Sequence, residues 1–323
     1  MAQQKEPVES WLRDHNIRSF YSVAEADTFS AGARSLLSLV GLGKLAPNML
    51  LIGFTQQKQD PAALAEYVEV LTVAFERRMA VGVLRLPHAI DCSGLVGSEE
   101  TFLKESSRRK SGDELTAVFR DKEGRPLEAS LVNQIQQFRV SLPDRPPRKG
   151  TVDVWWLYDD GGLTLLLPHI LRTRRLYRDC TLRVFSLANR PDNLDKDTRS
   201  LAGLLAKFRI DHSEVVVVPD VTRKAGEATK AEFAALLAEL PAGAVTAADL
   251  TANSERTNRT MRLAELLREH SGQAELVVVS LPLPRRGQAP PALYLAWLDL
   301  MTRGLPPTLL TRGNQTPVLT FYS

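Results

Sequence analysis

Cysteine is nearly missing from this chain. Cys92 and Cys180 are the two in 323 residues, too few for a disulfide framework, which points to a reduced, cytosolic setting. Histidine is scarce as well. Residues 15, 88, 169, 212 and 270 are scattered, with no H-x-x-x-H or H-E-x-x-H spacing and no C-x-x-C partner for either cysteine, so no transition-metal centre is written here. Long apolar runs are lacking: no window approaches the ~20 residues that cross a bilayer. The longest, Leu163 to Leu171, is interrupted by Pro168 and His169 and closes in an arginine-rich run. Met1-Ala-Gln-Gln-Lys5 has no signal-peptide core behind it, so the chain is expected to be soluble. Nor does one charge dominate. Lysine plus arginine number 41 against 38 acidic residues, a net +3, which is too balanced to argue for nucleic acid. There is no G-x-S-x-G elbow, Walker A loop or G-x-G-x-x-G turn, which leaves serine-hydrolase chemistry and the common nucleotide motifs without support.

What the chain does have is alternation. Asn48–Phe54 and Met79–Leu86 are short apolar runs of the kind that form buried strands. Between them Leu64, Tyr67, Val68, Leu71 and Phe75 recur at helical spacing behind Asp60-Pro61, a cap followed by a first-turn proline. Asp27 to Val40 predicts another helix, ended by Gly41-Leu-Gly43. After residue 145 the pattern predicts strands at 152–158, 181–187, 214–218, 275–281, 307–311 and 317–322. Helices are predicted at 163–176, 195–208 (capped by Asp195 or Asp197), 227–239, 255–270 and 289–303. Pro241 to Ser254 is expected to be a mobile loop, and Thr116 to Phe119 a short edge strand. The fold class is α/β: two tandem subdomains resembling universal stress proteins, each a mostly parallel sheet flanked by helices. The first is placed at 1–145, with a flexible segment near 98–122, and the second at 146–323, beyond the proline-rich stretch Pro143 to Gly150.

The stretch from Gly150 to Phe185 is the most informative. Asp159-Asp160-Gly161-Gly162 falls where a strand ends and a helix begins, the place where open α/β sheets bind ligands. Three readings stand: a turn and helix cap, a divalent cation or nucleotide held by carboxylate oxygens, or a partner contact. Arg172, Arg174, Arg175 and Arg178 complement a helix C-terminus, or else meet anionic lipid or an acidic partner. Arg285-Arg286-Gly287 follows a strand and sits where a ligand loop or a solvated turn would be. Consecutive Trp155 and Trp156 must face opposite sides of a sheet. Ser106, Ser107 and Ser111, beside basic residues, resemble kinase substrates.

The Asp-Asp-Gly-Gly block, Leu204–Asp211, Arg262–Ser271, Ser280-Leu-Pro282, Leu293–Leu298, Arg312-Gly-Asn-Gln315 and terminal Val318–Ser323 occur in one order along the chain. So, at the front, do Phe20-Tyr21, Gly41–Lys44 and Pro47–Phe54. Together they resemble the cytosolic carboxy-terminal domain of the cation–chloride cotransporters, the sodium-dependent branch in particular. The resemblance implies the regulatory and dimerisation domain of a sodium-coupled (sodium-potassium-)chloride cotransporter, at the cytosolic face of the plasma membrane, with no enzymatic activity. It implies a homodimer formed through the second subdomain. Further partners would be the transporter's own transmembrane domain and amino-terminal tail, and regulatory kinases. The family's membrane helices have no counterpart in this sequence, so the chain is expected not to transport alone. No cofactor is required. Some relatives hold ATP in the first subdomain, which maps here onto Gly53, Phe54, Thr55 and Arg85, although Thr55-Gln-Gln57 replaces a lysine-rich stretch and removes positive charge expected near phosphates. The rival reading is a nucleotide-binding stress-type protein or a metal-dependent phosphohydrolase that uses the Asp159-Asp160 turn.

Overall fold

The computed structural model describes residues 8–10, 12–13, 17–41, 43, 46–55, 58–87, 147–188, 194–219, 221, 223–284 and 287–319. By contact the chain separates into two units, Met1–Glu25 with His88–Pro146, and Ala26–Pro87 with Pro147–Ser323. All the strands and helices named below belong to the second unit. The expected edge strand at 116–119, the serines at 106, 107 and 111, and Arg285-Arg286 lie outside the described residues.

The order is α1 (Phe29–Leu39), β1 (Met49–Gly53), α2 (Pro61–Glu76), β2 (Ala80–Arg85), β3 (Thr151–Trp155), α3 (Leu163–Arg172), β4 (Thr181–Leu187), α4 (Leu194–Lys207) and β5 (Glu214–Val218). It continues with α5 (Glu227–Ala238), α6 (Ala247–Ala252), α7 (Ser254–Ser271), β6 (Leu276–Ser280), α8 (Pro291–Thr302) and β7 (Thr308–Arg312). The strands form one seven-stranded sheet in the order β1-β2-β7-β6-β3-β4-β5. Every pair is parallel except β2 with β7, where Val81 faces Arg312 and Arg85 faces Thr308. The α/β class and the mostly parallel sheet flanked by helices therefore stand. The expectation of a sheet in each half is revised: strands from before and after residue 145 hydrogen-bond in one sheet. The link is β7, whose apolar residues Leu309 and Leu310 offer β2 and β6 a fully buried strand to pair with. Since β2 opposes β7, the carboxyl ends of β1 and β2 emerge at the opposite end of the sheet from those of β3 to β7.

Local chemistry explains the elements. The Asp60 side chain accepts from Ala62 N at 2.9 Å and Pro61 opens α2, which buries Leu64, Tyr67, Val70 and Leu71. Strand alternation sends Val152 and Val154 to the layer of α3 and α4, and Trp155 to the core with α2, α5, α7 and α8. Trp156 packs on the α3–α4 side, opposite Trp155 as expected. Trp155 stacks on Phe185 with centroids 4.7 Å apart and donates to Ser271 Oγ at 2.9 Å. Buried Asp153 takes two hydrogen bonds from Arg183, at 2.9 and 2.6 Å, and Arg183 also donates to His270 O, which ties the end of α7 to the sheet.

Two further expectations are corrected. The loop expected at 241–254 contains α6, because Thr246 and Asp249 form a capping box that satisfies each other's backbone N–H and outweighs the weak propensity of a short segment. The strand expected at 317–322 is not one over residues 317–319. Val318 N donates instead to Gly161 O at 2.9 Å, so this segment pairs with a turn rather than with a strand. Residues 320–323 lie outside the described residues.

Candidate functional site

At the carboxyl ends of β1 and β2 an open pocket of about 440 Å³ is lined by Phe54, Thr55, Lys58, Arg85, Glu239 and Asp299. The Arg85 guanidinium lies 4.8 Å from the centre of the Phe54 ring, within cation–π range. Arg85 donates to Asp299 Oδ1 at 2.6 Å, to Asp299 O at 3.1 Å and to Thr302 Oγ1 at 2.8 Å. Lys58 Nζ sits 2.6 Å from both Asp299 Oδ2 and Glu239 Oε2. Arg303 reaches Asp299 Oδ2 at 2.9 Å and Glu239 Oε2 at 3.6 Å. Three cations thus surround two carboxylates; on the pocket wall itself Lys58 and Arg85 are balanced by Glu239 and Asp299. Burial alone would push the Asp299 carboxyl up. Hydrogen bonds from Arg303 and Lys58 and the charge and hydrogen bond of Arg85 overcome that and hold it at about 2. The Lys58 hydrogen bond holds the Glu239 carboxyl below its usual range.

Of the four residues proposed from the sequence, Phe54, Thr55 and Arg85 meet on this pocket. Gly53 does not line it; its carbonyl accepts from Tyr67 Oη at 2.8 Å. Lys58, Glu239, Asp299 and Arg303 were not singled out in the sequence. Asp299 had left a signal: it is the single charged residue of the buried helix Pro291–Thr302, and a carboxylate in such a helix needs cationic partners. Lys58 supplies a cation one residue beyond the Thr55-Gln-Gln57 stretch, paired with Glu239 and Asp299.

The Asp-Asp-Gly-Gly turn lies at the other end of the sheet. Asp160 is fully buried. Its carboxylate accepts from Gly162 N (3.2 Å), Thr164 N (3.1 Å), Thr164 Oγ1 (2.7 Å) and Gly313 N (3.0 Å). Three of these donors meet Oδ2 and one meets Oδ1, so the carboxylate is engaged by backbone and hydroxyl groups of its own turn and of the segment after β7. Asp159 Oδ1 accepts from Gly161 N at 3.1 Å, an Asx turn. The turn and cap reading accounts for these donors, which are the contacts a structural aspartate makes. Among the described residues no group of three or more metal-ligating side chains comes together. The arginines after α3 also have local work: Arg172 donates to Cys180 O at 2.8 Å and to Asp211 O at 2.9 Å.

The model of solute carrier family 12 matches residues 1–123 and 103–323. The chain is 36% identical over 381 residues to a bumetanide-sensitive sodium-(potassium)-chloride cotransporter of Manduca sexta, covering 98% of this chain and 36% of that protein. It is 34% identical to solute carrier family 12 member 2 of Danio rerio, with 97% and 32% covered, and 34% identical to member 1 of Oryctolagus cuniculus, with 98% and 33% covered. The chain therefore spans about a third of the length of these relatives. A crystal structure of the cytoplasmic domain of a prokaryotic cation chloride cotransporter aligns at a TM-score of 0.46 and 11% identity, covering 95% of this chain and 79% of that one.

Proposed function

We propose, from the premise that this chain belongs to solute carrier family 12, that it is the cytosolic part of a sodium-coupled cation–chloride cotransporter. In this reading it governs ion symport, and the pairing of the protein, without itself carrying ions. The observation that supports this is the extent of the match: 97–98% of the chain aligns with only a third of proteins named as sodium-(potassium)-chloride cotransporters or as solute carriers of this family. Among the described residues no helix is long and apolar enough to cross a membrane. The whole protein would bring chloride in electroneutrally with sodium, and with potassium in some members. The test uses a full-length cotransporter that contains this chain. Chloride-dependent sodium uptake is measured per transporter at the cell surface for wild type and for Gly313→Ala, which disturbs the Asp160 contact. A several-fold change per surface molecule supports regulation by this part; unchanged uptake, in a variant shown to be loosened in the isolated chain, rejects it.

A second reading assigns a nucleotide to the pocket of Phe54, Thr55 and Arg85, next to Gly53 in the chain. It is favoured by the two cations on the pocket wall, Lys58 and Arg85. Its weakness is physical: phosphates must draw Lys58 and Arg85 away from Asp299. ATP titration with the melting temperature as readout decides it, and no shift at millimolar ATP removes the reading.

A further inference from the structure

The arginine-rich run after α3 is one part of a larger basic surface at the amino ends of β3, β4 and β5. These strands run parallel, so the turns that lead into them gather at one end of the sheet. Arg172 ties two of those turns together, donating to Cys180 O before β4 and to Asp211 O before β5. Both acceptors are carbonyls, so its charge is left uncompensated by them. Arg148, before β3, donates its backbone N–H to Leu176 O at 2.7 Å, and its guanidinium lies 5.7 Å from the centre of the Tyr177 ring. Residues 147–150, 172–181 and 207–214 hold eight cations against three carboxylates, and Glu275 before β6 adds a fourth. That local excess is larger than the +3 of the whole chain, so positive charge is concentrated at this end. Lys149, Arg174 and Arg178 are exposed. Lys149 and Arg174 make no ion pair among the described residues, and Arg178 has the exposed Asp179 at 3.5 Å. A helix dipole accounts for cations in the last turn of α3, but Lys149 belongs to no helix and Arg178 lies beyond that turn.

We infer that this end of the sheet docks the chain onto the anionic face of a bilayer, with Lys149, Arg174 and Arg178 meeting acidic lipid headgroups. Cations clustered near such a surface each add about fivefold to affinity. The contacts of Arg172 and Arg148 hold the turns in place beforehand, so little ordering is needed on docking. Nucleic acid fits this surface less well. Its aromatic residues, Tyr177 and Phe208, pack against the core and offer no open platform on which bases stack. That a bilayer lies within reach rests on the proposed function; the docking itself is tested on the chain alone.

The experiment sediments the 323-residue chain with sucrose-loaded vesicles of phosphatidylcholine, alone or with about one-third phosphatidylserine. The expected result is binding to the acidic vesicles and not to the neutral ones, weakened roughly tenfold or more between ~0.1 and ~0.5 M salt. Lys149→Gln combined with Arg174→Gln should weaken binding on the order of 25-fold. Arg223→Gln combined with Lys224→Gln removes the same charge from exposed positions after β5, at the opposite end of the sheet, and should bind as wild type does. All four side chains are exposed, so both pairs should melt as wild type. If the first pair melts early, Arg178→Gln takes its place, with an expected loss of about fivefold. No binding to acidic vesicles, equal binding to neutral ones, or equal losses in the two paired variants would each overturn the inference. So would capture of the chain by polyglutamate or RNA under conditions where vesicles leave it in solution. None of these positions enters the uptake measurement on Gly313→Ala, so failure here is distinct from failure of the transport reading.

Discussion

At the scale of single residues, Asp299 sets much of the character of the pocket beside Arg85. It is almost fully buried and is held by Arg85, Lys58 and Arg303. Its folded value of about 2 lies below the ~3.9 of a free aspartate, so its contribution is fully present above pH ~4 and is lost as pH falls towards 2. The size of that term is about 2 kcal/mol. Asp299→Asn should therefore be markedly less stable than wild type at pH 7, where it strands three cations. The gap should narrow by about 2 kcal/mol between pH 4 and pH 2. Urea unfolding at a series of pH values reads this directly. A gap that stays constant over that range would mean the ion cluster is not what depresses the Asp299 carboxyl.

At the scale of elements, the turn before α3 and the segment after β7 interlock. Gly161 and Gly162 have φ of 78° and 91°, values that favour glycine. A Cβ on Gly161 would fall 2.3 Å from Thr316 O, and one on Gly313 would fall 2.0 Å from Asp160 O, both against backbone that cannot easily give way. Asp-Asp-Gly-Gly and Arg-Gly-Asn-Gln, two of the blocks that carry the family resemblance, are thus two halves of one contact. Gly313→Ala should cost roughly 2–3 kcal/mol through this overlap, and Asp160→Asn a similar ~2–4 kcal/mol, because an amide NH₂ replaces an acceptor facing buried N–H groups. Made together they should cost less than the sum of the two, since both break the same contact. Strict additivity in urea unfolding would show that the halves act separately. Most of the elements were legible beforehand: β4 and β5 have the expected limits, and α2, α4, α5 and α7 begin or end within a residue or so of them. Periodicity and capping are local, which is why they could be read. Helix α6 was legible too, through the Thr246–Asp249 pair, but the alanine, glycine and threonine around it suggested a loop.

At the scale of the whole molecule, the surface of residues 151–323 exposes Tyr158, Ile170 and Val318 among its large apolar side chains. These can contribute to an isologous contact, and the homodimer is expected to form mainly there, burying at least ~1,000 Å² in total. Multi-angle light scattering at tens of micromolar should report about twice the 35.8 kDa of one chain. A monomer mass at that concentration would defeat the proposal for the isolated chain.

The sequence by itself determined the class, the family resemblance and nearly every strand and helix, because apolar spacing, caps and glycine turns act over a few residues. It also placed Phe54, Thr55 and Arg85 together, by resemblance and at the ends of two predicted strands. Only the tertiary structure decided that the two groups of strands form one sheet. It alone brought Lys58, Glu239 and Asp299 to one pocket, paired Arg303 with its two carboxylates, and aimed Gly313 at Asp160 across 153 positions. The physical reason is the same in each case. Strand pairing, ion clusters and backbone packing between distant segments are settled by which buried surfaces fit together, and that fit leaves almost no trace in the spacing of neighbouring residues.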